Sequence, residues 1–210
     1  MVRTASFLLA APLLFAAGLL APRPALALGT LEGFYGISRP PSASFRSSVS
    51  AADDPHLFKS SAQIAGGDLL LNFGGPLEIG AIIDTSWRHH AGSQTAIGGL
   101  AGLRLDLGGL RLDALGEAGG HRYGNFTDDP EIITASKSSE WLAYVGLRPG
   151  IAFHVGPPGA PGQLVGVWGY ARWDLTSKRV PVTVSSASSE GSIKLGGSTI
   201  GATARVGFDF

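Results

Sequence analysis

The chain has 210 residues, about the size of one domain, with 16 basic against 16 acidic residues and no cysteine. The charge balance removes any electrostatic case for nucleic acid, and the missing cysteine excludes a disulfide framework and a lipid-anchored start. Thirty-one glycines, few charges and turn signals recurring between alternating segments indicate an all-β protein.

The N-terminus opens on Met1-Val2-Arg3, followed by an apolar stretch from Phe7 to Leu20 that Pro12 and Gly18 interrupt. Pro22-Arg23-Pro24 and the small-residue site Ala25-Leu26-Ala27 come next. This order predicts a signal peptide over 1–27, cleaved after Ala27, because the run is short for a membrane span. Residues 28–210 are then the exported domain. Losing Arg3 and Arg23 takes the 16 basic residues to 14 against 16 acidic, a formal charge of −2. No later stretch is long and apolar enough for a transmembrane helix.

Alternation with period two predicts eight strands. The first, about 29–38, sets Leu31, Tyr35 and Ile37 against Glu32 and Phe34. The second, about 60–73, sets Leu69, Leu71 and Phe73 against Asp68, Leu70 and Asn72, with a bulge expected at Gly66-Gly67. In the third, Leu77, Ile79, Ala81, Ile83 and Trp87 alternate with Glu78, Gly80, Asp84, Ser86 and Arg88. The fourth and fifth, about 95–107 and 110–122, form a hairpin on Gly108-Gly109, whose glycines accept the positive φ of a tight primed turn. Folding there sets Arg104 opposite Asp113 and Asp106 opposite Arg111 on one face, with leucines on the other; these are expected interior charge pairs. The sixth strand, about 139–155, opposes Trp141, Val145, Leu147 and Phe153 to Glu140, Tyr144, Arg148 and His154. The seventh, about 163–176, opposes Val165, Val167 and Trp173 to Trp168, Tyr170, Arg172 and Asp174. The eighth, from about 197, opposes Ile200, Val206, Phe208 and Phe210 to Thr203, Arg205 and Asp209.

Each strand thus carries one apolar and one polar face, and no charge falls in the middle of an apolar face. Strands cross lipid only as a closed barrel, because every backbone group there must be paired. The leucine face is therefore expected to meet outer-membrane lipid, and the Arg/Asp face to point inward. Link lengths agree: short turns follow strands two, four and six, and long loops lie at about 39–59, 123–138 and 177–196. That is the pattern of short periplasmic turns and longer extracellular loops. Tyr35, Trp87, Trp141 and Trp173 face outward near the long loops, as an interface girdle, while Phe73, Phe153, Phe208 and Phe210 do so near the turns.

The export signal, the eight strands and the closing "GATARVGFDF" resemble the small OmpA/OmpX-type outer-membrane barrels of Gram-negative bacteria. The resemblance covers the whole mature chain and implies an eight-stranded antiparallel up-and-down β-barrel. It also implies that Val206, Phe208 and Phe210 form a C-terminal signal read by the barrel-assembly machinery.

Ten acids are expected inside (Glu32, Asp68, Glu78, Asp84, Asp106, Asp113, Glu117, Glu140, Asp174 and Asp209). Facing them are Arg88, Arg104, Arg111, Arg148, Arg172 and Arg205, with His121 and His154. Eight strands leave room for side chains to fill the interior, so a cross-braced, monomeric, non-enzymatic barrel is expected, serving envelope structure or surface contacts through its loops. The competing readings are a small conduit and an outer-leaflet lipid-modifying enzyme. For the latter the candidates are His89-His90 with Ser86 or Ser93, and Glu117 with His121. "DDPH" at 53–56 and "DDPE" at 128–131 are acidic turns more than calcium loops. No cofactor is indicated. Alternating Val180, Val182 and Val184 within the segment 178–197 suggest either a ribbon projecting beyond the membrane, whose edge is a candidate for binding a surface ligand by strand addition, or a flexible serine-rich loop.

Overall fold

The structure is a computed structural model describing residues 28–39, 44–47, 61–73, 75–87, 92–124, 133–156, 161–184 and 189–210. The expected export signal and cleavage site fall outside these residues, as do Arg88, His89, His90 and the two acidic loop motifs.

Among the described residues twelve strands run in chain order: β1 Gly29–Arg39, β2 Ser44–Ser47, β3 Ala62–Asn72, β4 Leu77–Trp87, β5 Ser93–Leu107, β6 Leu110–Gly124, β7 Ile133–Ala135, β8 Ser139–Val155, β9 Gly162–Asp174, β10 Lys178–Val184, β11 Ser189–Leu195 and β12 Ser198–Asp209. Eight of them close into an antiparallel barrel in the order β1-β12-β9-β8-β6-β5-β4-β3, sealed where β3 pairs with β1. These are the eight strands that alternation predicts, the sixth coinciding with β8 and the others differing by a residue or two at their ends. The Gly108-Gly109 turn has φ of +61° and +103°, the conformation a two-residue primed hairpin requires.

Two expectations need correction. Gly66-Gly67 is no bulge: the β3–β4 ladder runs unbroken from Gln63 opposite Trp87 to Asn72 opposite Glu78. Glycine is needed at 66 for space, because a Cβ there would collide with the Phe34 ring inside the barrel and with the neighbouring strand's backbone. Nor are the long connections only loops. They supply β2, β7, β10 and β11, which form a second four-stranded sheet in the order β2-β11-β10-β7. The valine ribbon is therefore present as β10 and β11, but β2 and β7 occupy its edges. Open edge groups have paired within the chain, as unpaired strand edges tend to.

Burial runs opposite to that of a water-soluble barrel. Large apolar side chains such as Leu31, Ile83, Leu147 and Val206 stand outward and exposed, whereas five arginines and most acids are buried. A second apolar cluster (Tyr123, Leu142, Val180, Ile193 and Leu195) joins the barrel's loop end to the four-stranded sheet above it.

Candidate functional site

The interior is the chemically richest part of the molecule, and alternation builds it: every second residue of each barrel strand projects inward. At the turn end, Arg111 holds Asp209 with two bonds, Nη2 to Oδ2 at 2.5 Å and Nη1 to Oδ1 at 3.0 Å. Thr30 Oγ1 donates to the same carboxylate at 2.5 Å. Arg111 Nε also reaches Asp106 Oδ1 at 3.2 Å, and His154 Nε2 lies 3.5 Å from Asp209.

In the middle, Arg205 donates to Glu32 at 3.1 Å and to Asp113 at 2.5 Å, and Trp168 Nε1 donates to Glu32 at 2.8 Å. The Arg205 and Arg148 guanidinium groups stack on Trp168 at 3.9 and 4.5 Å from a ring centroid, and Arg148 also covers Phe34 at 4.4 Å. Arg148 pairs with Asp68 at 3.0 Å. A Cβ at Gly150 would fall on the Trp168 ring and one at Gly201 on the Tyr170 ring, so glycines opposite the aromatics are what let large rings lie across the lumen. One level further out, Arg172 binds Asp84 at 3.1 and 2.6 Å and Glu117 at 2.6 Å, with Tyr170 and Tyr144 beside its guanidinium.

The outer mouth holds a cluster centred on Asp174. Its Oδ1 meets His121 Nδ1 at 2.7 Å, and its Oδ2 accepts from Tyr123 OH at 2.5 Å and from the Gly197 amide at 3.1 Å. Gln94 donates to Tyr123 OH at 3.1 Å, and the His121 ring stacks on Tyr144 at 4.0 Å. Asp174 ends β9 and Gly197 immediately precedes β12, so one carboxylate ties both roots of the β10–β11 ribbon to the barrel. Alternation places Asp174 and His121 inside but not together; the additional cue is that both lie near loop ends on the inward face.

Several predicted partnerships are rearranged. Arg104 and Asp113 are cross-strand neighbours in register, as are Asp106 and Arg111. The Arg104 guanidinium nevertheless turns to Glu78 at 3.1 Å and Asp106 at 2.9 Å, while Asp113 is taken by Arg205. In a narrow barrel a long arginine reaches acids on other strands, so facing in the ladder does not by itself decide pairing: Arg111 does meet Asp106, at 3.2 Å, while Arg104 and Asp113 part. Glu117 and His121 also do not meet. Both are on β6 and face inward, but four residues along a strand separate them by roughly 13 Å, and Glu117 is bound to Arg172. Glu140 sits at the rim, not in the interior, bridged to Lys178 and Lys137. Ser86 is buried and directs its hydroxyl to the Gln94 carbonyl at 3.5 Å.

On the outside, Tyr35, Trp87, Trp141 and Trp173 are all exposed, as are Val206, Phe208 and Phe210 along the last strand. Trp87 Nε1 is hydrogen-bonded to Gln63 at 3.2 Å.

No protein-family model matches the chain, and neither does any curated protein sequence. Among solved structures, the chain is similar to Neisserial surface protein A (NspA), with a TM-score of 0.51 at 10% identity, over 87% of this chain and 97% of that one. The N-terminal β-barrel domain of Pseudomonas aeruginosa OprF aligns over 88% of this chain and 99% of its own, with a TM-score of 0.47 and 12% identity. The likeness to NspA is one of fold, the closed eight-stranded barrel.

Proposed function

We propose that the protein is an integral outer-membrane barrel with a side-chain-filled interior, serving envelope structure or surface contacts through the sheet and loops at its outer end. The observation that carries this reading is the inverted burial: a continuous apolar exterior around a lumen of arginines and carboxylates. Leaving so much apolar surface in water is unfavourable at roughly 25 cal/mol per Å², whereas in lipid it costs nothing and only a closed barrel satisfies the backbone. The outward Tyr35, Trp87, Trp141 and Trp173 fit one interfacial belt, and Phe73, Phe153, Phe208 and Phe210 the other.

The lumen favours a plug over a conduit, because Phe34, Tyr144, Trp168 and Tyr170 are buried across it and packed against arginines. The reading is non-enzymatic. Asp174 orients His121, but His121 Nε2 has no hydrogen-bond partner among the described residues, and a base without a nucleophile within reach has nothing to activate.

Fractionation of cells producing the full chain tests the assignment. The protein should travel with the outer membrane and migrate as a compact band on unheated gels. Deleting Phe210 should leave unassembled, protease-sensitive chain in the periplasm. A wild-type protein recovered in soluble form would overturn the membrane reading, and normal assembly of the truncated chain would overturn the role of the terminal Val206-Phe208-Phe210 series.

A further inference from the structure

Among the residues whose burial is described, the exposed cations lie at one end of the molecule. Arg39, Arg122, Lys137, Lys178, Arg179 and Lys194 are all exposed and all lie at the loop end. Arg104, Arg111, Arg148, Arg172 and Arg205 are instead buried in the lumen. At the turn end the exposed charge is an acid, Asp106, whose side chain is 47% exposed.

Two of these cations border the aromatic belt directly. Arg122 is the cross-strand neighbour of Trp141, and Lys178 Nζ donates to the Trp141 carbonyl at 3.3 Å. Rings of this kind sit at the depth of lipid headgroups. Lys137 and Lys178 share the single carboxylate of Glu140. Arg39, Arg122, Arg179 and Lys194 have no acidic partner among the described residues. Moreover, Arg179 and Lys194 face each other directly across β10 and β11. Like charges in that position destabilise a sheet, and an anion from outside would turn the repulsion into a chelating pair. Arginine's fork suits phosphate oxygens in particular.

We propose that this collar binds the phosphate groups of the phosphorylated glycolipid in the outer leaflet, an inference that rests on the outer-membrane reading above. The lipid is the fitting source because the collar adjoins the belt rather than the top of the outer sheet, so the headgroup phosphates reach it while the acyl chains lie along the apolar wall.

The test uses the purified protein in detergent micelles, titrated with bis-phosphorylated lipid A, with dephosphorylated lipid A and with inorganic pyrophosphate, counting bound molecules by native mass spectrometry. The wild type should prefer bis-phosphorylated over dephosphorylated lipid A by tenfold or more, less so as salt rises. The Arg39→Gln/Arg122→Gln/Arg179→Gln/Lys194→Gln variant should lose about fivefold in affinity per cation removed, while Arg122→Lys/Arg179→Lys, which keeps the charge but not the fork, should lose less than Arg122→Gln/Arg179→Gln. All the substituted side chains are exposed, and the compact band on unheated gels checks that each variant is folded. Equal binding by the folded Gln variant, or pyrophosphate binding as tight as that of the lipid, would overturn the proposal. Insertion into phospholipid vesicles is measured on the same samples. A barrel that inserts but shows no phosphate preference refutes the collar alone, and one that fails to insert refutes the membrane reading beneath it.

Discussion

Replacing Arg172 by methionine removes the most heavily bonded cation of the outer half of the lumen while keeping most of its volume. Arg172 is the only described donor to Asp84, through bonds of 3.1 and 2.6 Å. It is also the nearest donor to Glu117, which retains Arg148 at 3.8 Å. Stranding a buried acid by removing its partner costs about 3–5 kcal/mol, and the lost charge-assisted bond to Glu117 adds about 1.5–3 kcal/mol. Water entering the space left by the guanidinium recovers part of this, so a loss near 5 kcal/mol is expected. The triple variant Arg172→Met/Asp84→Asn/Glu117→Gln removes the stranded charges as well. It should return to within about 2 kcal/mol of the wild type, because replacing a whole buried ion cluster by neutral groups is often close to neutral. Urea unfolding in detergent micelles, followed by tryptophan fluorescence and by gel mobility without heating, measures both. A loss below about 1 kcal/mol for Arg172→Met, or a triple variant as unstable as the single one, would show that the cluster is not what holds the lumen together.

Asp113 should couple to Arg205 and not to its ladder neighbour Arg104: a double-mutant cycle on Asp113→Ala and Arg205→Ala should give a coupling above about 1.5 kcal/mol, and the cycle with Arg104→Ala less than about 0.5 kcal/mol. The reverse ranking in the same unfolding assay would mean that the cross-strand pair governs after all. In planar bilayers the wild-type barrel should show no steady single-channel steps at neutral pH, whereas Trp168→Ala/Tyr170→Ala, which removes two rings lying across the lumen, should admit small ones. Reproducible wild-type conductance abolished by neutralising Glu78 or Asp84 would favour the conduit.

How much of this was legible in advance follows from which forces act on which residues. The barrel strands were, because an apolar surround on one side and a packed polar lumen on the other force a period of two over ten or more residues; Leu103-Arg104-Leu105-Asp106 has few other ways to lie. Cross-strand register was legible too, from Gly108-Gly109. Of the ion partners, Asp106 with Arg111 was legible and Arg104 with Asp113 was not. Arg104 and Arg205 have long flexible stems, and which acid each meets depends on how eight strands stagger around the lumen, a global quantity that no single hairpin encodes. The outer strands β2 and β7 were missed for a different reason: segments such as Ser44–Ser47 are too short and polar to carry a periodic signal, and they become strands because β10 and β11 offer open edges. The Asp174 cluster stayed hidden because its members come from β5, β6, β8, β9 and the residue before β12 and meet only after closure.

On the outer-membrane reading proposed above, the seam between the two ends of the barrel makes that closure a condition of entering lipid. Glu32 on β1 is satisfied by Arg205 on β12 and Trp168 on β9, and Asp209 at the end of β12 by Thr30 and Arg111. Gly29 and Phe210 lock the same seam with reciprocal backbone bonds of 3.1 and 2.9 Å. A half-built sheet would carry those carboxylates and guanidinium groups bare into hydrocarbon, each an expense of several kcal/mol. On that reading, insertion one hairpin at a time is energetically uphill until the first and last strands meet, and circularisation is expected to be the committed step of assembly. A chain cut short before β12 does not become a smaller barrel; it becomes a sheet with no place to put Glu32.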